Sequence, residues 1–287
     1  TATALTQLIG NGRFQALSAD SRTALLSQAK NYPKAEVVGN LRRMLGTRWF
    51  AGMSLADQQR ASKIVAHSSA LAVDATAAGR PQQAAILNNT MRRLLDPNGP
   101  TLRFEAMPHS NTGGNTAWGY TTLDGGTIAL NSNLMPAGNQ PITDQRAVAM
   151  ATNTIAHEVN HICNPITSRG SFNQFMGEYR AWYVGFMAQH GRRPTAQEGL
   201  DRTLEILSNY PEIRNKLTMR PNPRGNIQIA PLGEEILRFM NQHFYSNNPV
   251  PLTARGITDV TWFARMKVQT NQRLGPPPHP LDNITNE

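Results

Sequence analysis

The chain has 287 residues, with 28 Lys and Arg against 19 Asp and Glu, a formal net charge of +9 and a pI near 10.2. Its hydrophobic content is 39% and its mean hydropathy −0.43, so it has enough apolar residues for one large or two modest cores, and no window is apolar enough to predict a membrane-spanning helix. A single cysteine, Cys163, excludes a disulfide framework within the chain. The basic residues are dispersed as pairs, Arg42-Arg43, Arg92-Arg93 and Arg192-Arg193, rather than gathered into runs or placed beside stacking aromatics. Nucleic-acid binding is therefore not the expected main role, and a solvated basic surface is the plainer reading.

In chain order, Ser21–Lys30, Ala35–Leu45 and Ser54–Val73 carry apolar residues at three- and four-residue spacing and predict helices. Pro81–Leu95 predicts another, with Pro81 in its first turn and Asp96-Pro97-Asn98-Gly99 as its stop. The pattern then changes. Leu102–Met107 reads as a strand, and Ala117–Thr122 and Thr127–Asn131 flank Asp124-Gly125-Gly126 as a hairpin. After Gly138 the helical period returns, interrupted by a possible short strand at Asn226–Ala230 and closed by a Pro-rich tail, Gly275-Pro276-Pro277-Pro278 onward. The expected fold is α+β, mostly helical with a small antiparallel sheet. Its parts are an N-terminal helical region, 1–98, a core with C-terminal helices, 99–272, and the tail, 273–287. The opening TATALTQLIGNGRF has no basic leader followed by a long apolar run, so no secretory signal is expected within it.

The most informative stretch is TIAHEVNHIC, Thr154–Cys163. Its helix is expected to start at the Thr143-Asp144 cap and to end before Pro165. At about 100° per residue, Val148, Ala151, Ile155, Val159 and Ile162 form one stripe, and His157 and His161 lie opposite it. Residues four apart on a helix hold their Cβ atoms about 5–6 Å apart, which suits two imidazoles sharing one ion at ~2.0–2.1 Å. Glu158 points between the stripe and the histidines, where it can act as general base without ligating. The ordinary alternative is a helix surface that carries two unrelated histidines.

A catalytic zinc needs a third protein ligand. The next helical segment, Phe172–Gln189, has a wide aromatic face of Phe172, Phe175, Tyr179, Trp182, Tyr183 and Phe186. Glu178 sits at its margin, and Ala181 beside it permits close approach of another helix. A carboxylate there is costly to bury unless it is paired or bound to metal, so Glu178 is the candidate ligand, with Glu198 and Glu205 in reserve. Its ordinary role is pairing with Arg180 or Arg202. Cys163 points more than about 100° away from either histidine and is expected to be a small buried residue. Tyr183, His190, Tyr210 and His243 are available as oxyanion stabilisers, but the sequence does not choose among them; His67 and His109 read as packing or surface residues.

His157-Glu158-x-x-His161 followed by Glu178-x-x-Ala181 resembles the zincin metallopeptidases, of the glutamate-ligand (gluzincin) kind, over Leu102–Gln189. It departs from that pattern in having no Asn before Glu178 and a somewhat short gap from His161. HEVNH followed by EYRAWY is also similar to metallopeptidase domains of bacterial secreted effectors and toxins. The resemblance implies a Zn2+-dependent endopeptidase with His157, His161 and Glu178 on the metal and Glu158 as base. It also implies a substrate paired in extended form with an edge strand, here Thr127, Ile128, Ala129, Leu130 and Asn131. The implied partners are a protein or peptide substrate and an immunity or secretion-system protein, and the implied location is secreted or delivered into a target cell. The competing readings are a non-catalytic zinc-stabilised module and a basic nucleic-acid-binding protein.

Overall fold

A computed structural model describes residues 1–107, 117–219, 221–222, 224–247 and 249–259. The Pro-rich tail and His109 lie outside the described residues. The described residues divide into two compact units, Thr1–Pro165 with Val184–Arg192, and Ile166–Tyr183 with residues 193–259. Helices and a three-stranded mixed sheet make an α+β arrangement in which helix dominates.

In the first unit, helices α1 (Ala2–Ile9), α2 (Gly12–Gln15), α3 (Ala19–Asn31), α4 (Ala35–Met44), α5 (Leu55–Ala77) and α6 (Pro81–Leu94) follow one another. Ser18 caps α3 and Ser54 caps α5, each side chain accepting a backbone N–H of the first turn. Their apolar faces meet in one core that includes Leu25, Val38, Leu41, Ile64, Val65, Met91 and Leu94. Strands β1 (Thr101–Glu105), β2 (Gly119–Thr121) and β3 (Thr127–Asn131) cover one side of it.

The hairpin forms as expected. Asp124 Oδ1 accepts the Gly126 N–H at 2.9 Å, and Gly125 takes a φ of +67°, which favours glycine. The sheet, however, is not antiparallel throughout. Its order is β1-β3-β2, with β1 parallel and β2 antiparallel to β3. Only the β2–β3 pair is joined by a tight turn; β1 reaches β3 through the intervening segment, and the sequence carried no sign of which neighbour it would take. Near Asn226–Ala230 the chain forms one bridge, Thr218 to Ile229, instead of a strand.

The run from Gln145 to Cys163 is helical throughout but not uniform. It comprises α7 (Gln145–Ala149), capped by Asp144, a π-turn at Met150–Thr154, and α8 (Ile155–Cys163). Ala151, Ile155 and Val159 are fully buried in the core, and Val148 and Ile162 pack against it half-buried. Ser68 on α5 donates its hydroxyl to the Ala151 carbonyl inside the π-turn. A π-turn disturbs the i→i−4 ladder, and this side chain satisfies a carbonyl within it.

In the second unit, the N-terminal half of α9 (Phe172–His190) packs with α10 (Ala196–Asn209), α11 (Pro211–Arg214) and α12 (Pro231–His243). The Phe175 and Tyr179 rings meet Phe239 of α12 edge-on at 5.4 and 5.2 Å between centroids. At Gly199 of α10 an added Cβ would lie 2.7 Å from the Tyr179 hydroxyl, so the close approach requires glycine. The α9 helix is continuous across the division, and its C-terminal half belongs to the first unit.

Candidate metal centre

The two histidines of α8 stand one turn apart and converge. Their Nε2 atoms are 3.0 Å apart, with ring planes at 78°. Two nitrogens at ~2.0–2.1 Å from one tetrahedral ion would stand ~3.3 Å apart, so the pair is close to a chelating separation without rearrangement. His157, His161 and Glu178 each offer one ligand atom, and these atoms lie within 4.8 Å of one another. Both histidines are half-buried and Glu178 is 6% exposed. The donor set, two imidazoles and one carboxylate, suits a borderline divalent ion such as zinc.

The sequence of α9 explains how Glu178 is carried. Glu178, Ala181 and Gly185 recur at three and four residues and so share one face. At Gly185 an added Cβ would lie 2.7 Å from the Asn153 carbonyl oxygen of the π-turn. Asn153 also donates from Nδ2 to Gln189 Oε1 at 3.2 Å, and Gln83 of α6 donates to the Ala188 carbonyl at 2.9 Å. The C-terminal half of α9 is thus fixed against the π-turn one turn before His157. Gly177, just ahead of Glu178, admits Ile166, whose Cγ1 would be 2.9 Å from an added Cβ.

Glu158 is 5% exposed, on the flank of α8 that meets β2. The Thr121 hydroxyl lies 2.8 Å from Glu158 Oε2 and 3.0 Å from the Glu158 carbonyl oxygen, with a single proton to share between them. β2 comes this close because residue 119 is glycine, where an added Cβ would lie 2.9 Å from the Ala129 carbonyl oxygen and 3.2 Å from Thr154 Cγ2. Thr121 is the residue that the sequence reading missed. The signal was available, since it lies in a predicted strand next to the motif helix, but nothing local told which face of a three-residue strand would meet that helix.

The strand assigned to substrate is corrected. Thr127, Ile128, Ala129, Leu130 and Asn131 form β3, which is hydrogen-bonded to β1 on one side and β2 on the other. A strand paired on both edges has no free N–H and C=O row for an extended peptide. Among the described residues the edge strand beside α8 is β2.

The reserve ligands are engaged elsewhere. Glu198 completes the α10 capping box with Thr195, and Glu205 pairs with Arg202 at 3.0 Å. Cys163 is half-buried and free of disulfide, and burial pushes its thiol pKa up, against the nearby Arg93 and Arg92 charges. Tyr183 is fully buried in the aromatic row beside Trp182. His190 is exposed with its ring on Phe186, and His243 packs between Phe239 and Phe244, where burial lowers its pKa. Tyr210 caps the end of α10. His67 accepts or donates at Nδ1 with the Tyr32 hydroxyl at 3.2 Å, and burial lowers its pKa.

No helix among the described residues is long and apolar enough to cross a membrane. No protein-family model matches the chain, and neither a curated protein nor a solved structure matches it at a significant level.

Proposed function

We propose that the protein is a zinc-dependent endopeptidase of zincin type, acting as a secreted or cell-delivered effector or toxin domain. The observation that carries the reading is the convergence of His157, His161 and Glu178 beside a second buried carboxylate, Glu158, on the same helix as the histidines. One ion and one proton-transfer role would use both buried carboxylates, Glu178 as ligand and Glu158 as base.

His157 and His161, whose Nε2 atoms face each other, would hold the ion, and Glu178 would supply the anionic ligand. When bound, the ion supplies Lewis-acid polarisation of a carbonyl and acidifies water. Glu158 takes a proton at its carboxylate and returns it to the leaving amine. The Thr121 hydroxyl orients the Glu158 side chain through Oε2. The edge of β2 that has no strand partner among the described residues would offer backbone hydrogen bonds to an extended peptide, a mode that does not depend on sequence. Delivery into a target cell would imply an immunity or secretion-system partner; that part rests on the HEVNH and EYRAWY resemblance alone.

The test is metal content of the purified chain, before and after chelation, with His161→Ala and Glu178→Ala. One zinc per chain is expected, lost by roughly tenfold or more in affinity in each variant. Zinc binding that both variants leave unchanged would remove the proposed centre.

A further inference from the structure

One arginine pair, Arg42-Arg43, and Arg92 of a second, fifty residues on in sequence, come together in the first unit. A cavity of about 680 Å³ is lined by Arg13, Arg42, Arg43 and Arg92 with Gly46 and Asp96. We propose that this cavity binds a small ligand carrying clustered phosphate groups.

The charges are held without being neutralised. Arg13 donates from Nη1 to the Leu45 carbonyl at 3.2 Å, Arg42 to Gln7 Oε1 at 2.7 Å and Arg43 to Asn40 Oδ1 at 3.3 Å. These acceptors are neutral, and none of the four lining arginines forms an ion pair among the described residues. Gly46 makes room for Arg13, whose Nη1 would be 3.2 Å from an added Cβ. The one lining carboxylate, Asp96, is occupied by its own turn, accepting the Asn98 N–H at 2.8 Å.

The ordinary explanation is that Arg42, Arg43 and Arg92 complement the C-terminal ends of α4 and α6, where they occupy the last turns. Two helix ends supply only about one negative charge together, against four guanidinium groups and one carboxylate. The four guanidinium groups are exposed, so water screens their repulsion and they stand open to an anion from solution. Guanidinium forks match phosphate oxygens in pairs, and Arg13, Arg42 and Arg43 each have further N–H groups beyond the one fixed by its neutral acceptor. The volume is that of a small-molecule site. The lining has no aromatic side chain on which a base could stack, which favours a small polyphosphorylated ligand over a nucleic-acid strand.

The experiment titrates the full chain with inorganic tripolyphosphate by calorimetry, and compares Arg42→Gln/Arg43→Gln with the equal charge loss of Arg224→Gln/Arg255→Gln. The cavity variant is expected to weaken binding by at least about tenfold, and the control to change it by less than about twofold. Tripolyphosphate is also expected to raise the melting temperature of the wild type and not of the cavity variant. Arg92→Gln serves as a second probe, with the same direction expected. Equal weakening by cavity variant and control would reduce the effect to net charge and overturn the site. A single-stranded oligonucleotide that binds more tightly than tripolyphosphate, and loses affinity in the same cavity variants, would overturn the small-ligand reading in favour of a nucleic-acid groove. Zinc content is expected to be unchanged in every variant, so failure here leaves the metal centre standing.

Discussion

The described residues bury ionisable charge in two regions, and the two use it differently. On α5, Lys63 is 4% exposed and its ammonium donates to the Pro136 carbonyl at 2.9 Å and the Ala137 carbonyl at 3.4 Å. Its neighbour Arg60 donates to the Met135 carbonyl at 2.8 Å, and Gln59 accepts the Gly138 N–H at 2.8 Å. The fixed dipoles of one loop absorb these groups, and the loop leads into the Asp144 cap of α7. On α8 and α9, Glu158 and Glu178 are equally buried, but they flank two imidazoles whose nitrogens already stand at a chelating distance. Burial of a charge therefore does not by itself mark a site. What separates the two regions is whether backbone dipoles consume the charge or whether it stands beside other groups able to share an ion.

The largest expected effect falls on Glu158. Glu158→Gln keeps the shape and the Thr121 contact while removing the base. Proteolysis of an unfolded protein substrate is expected to drop by ~10²–10⁴-fold in kcat/KM with zinc retained. A variant as fast as the wild type would end the base assignment and, with it, the contrast between the regions. Lys63→Met is the counterpart. Two carbonyls lose their donor, and stability is expected to fall by about 1–3 kcal/mol, measured by denaturant unfolding, with zinc affinity within about twofold of wild type. If Lys63→Met instead released zinc at unchanged stability, the loop would belong to the site.

How much of this could be read from residues alone depended on whether the determining contact was local. The helices from Ser21 to Leu95 and the Asp124-Gly125-Gly126 hairpin follow from periodicity and turn chemistry, and the observed elements lie where those signals put them. His157, His161 and Glu178 were legible because helical spacing and the cost of a buried carboxylate are local arguments. The parallel pairing of β1 with β3 was not, since it joins residues about twenty-six apart in register, and so β3 was mistaken for an edge. The π-turn was equally hidden. Its partners are Ser68 on α5 and Gly185 on α9, and a glycine in the middle of an aromatic-rich helix reads as a weak point until Asn153 is seen against it. The arginine cavity brings residues from the last turns of α4 and α6 to one lining, so its arginines looked dispersed.

Gly185→Ala tests whether the π-turn contact places Glu178. The added methyl meets the Asn153 carbonyl, which is backbone and yields little. A stability loss of about 1–3 kcal/mol is expected, accompanied by weaker zinc binding, because Glu178 lies two turns up the same face of α9. Stability lost with zinc affinity unchanged would show that Glu178 is placed by other contacts.

The smallest effect concerns pH and returns to α5. His67 lies one turn from Lys63, and burial lowers its pKa below the ordinary histidine value. In the unfolded chain the imidazole takes a proton near pH ~6.5, while in the folded chain it resists until lower pH. Below that value the unfolded state binds more protons, so this residue makes stability decline as pH falls from about 6.5 and leaves it level above. The slope cannot exceed about 1.4 kcal/mol per pH unit, the limit for one proton. His67→Gln, which keeps a hydrogen-bonding partner for Tyr32, is expected to flatten that part of the curve in unfolding measured between pH 5 and pH 8 (roughly the histidine range). A metal-free sample is the right one for the comparison, since metal binding to the folded chain would add its own pH dependence. A slope that survives His67→Gln in that sample would assign it to other histidines and return His67 to an ordinary packing position.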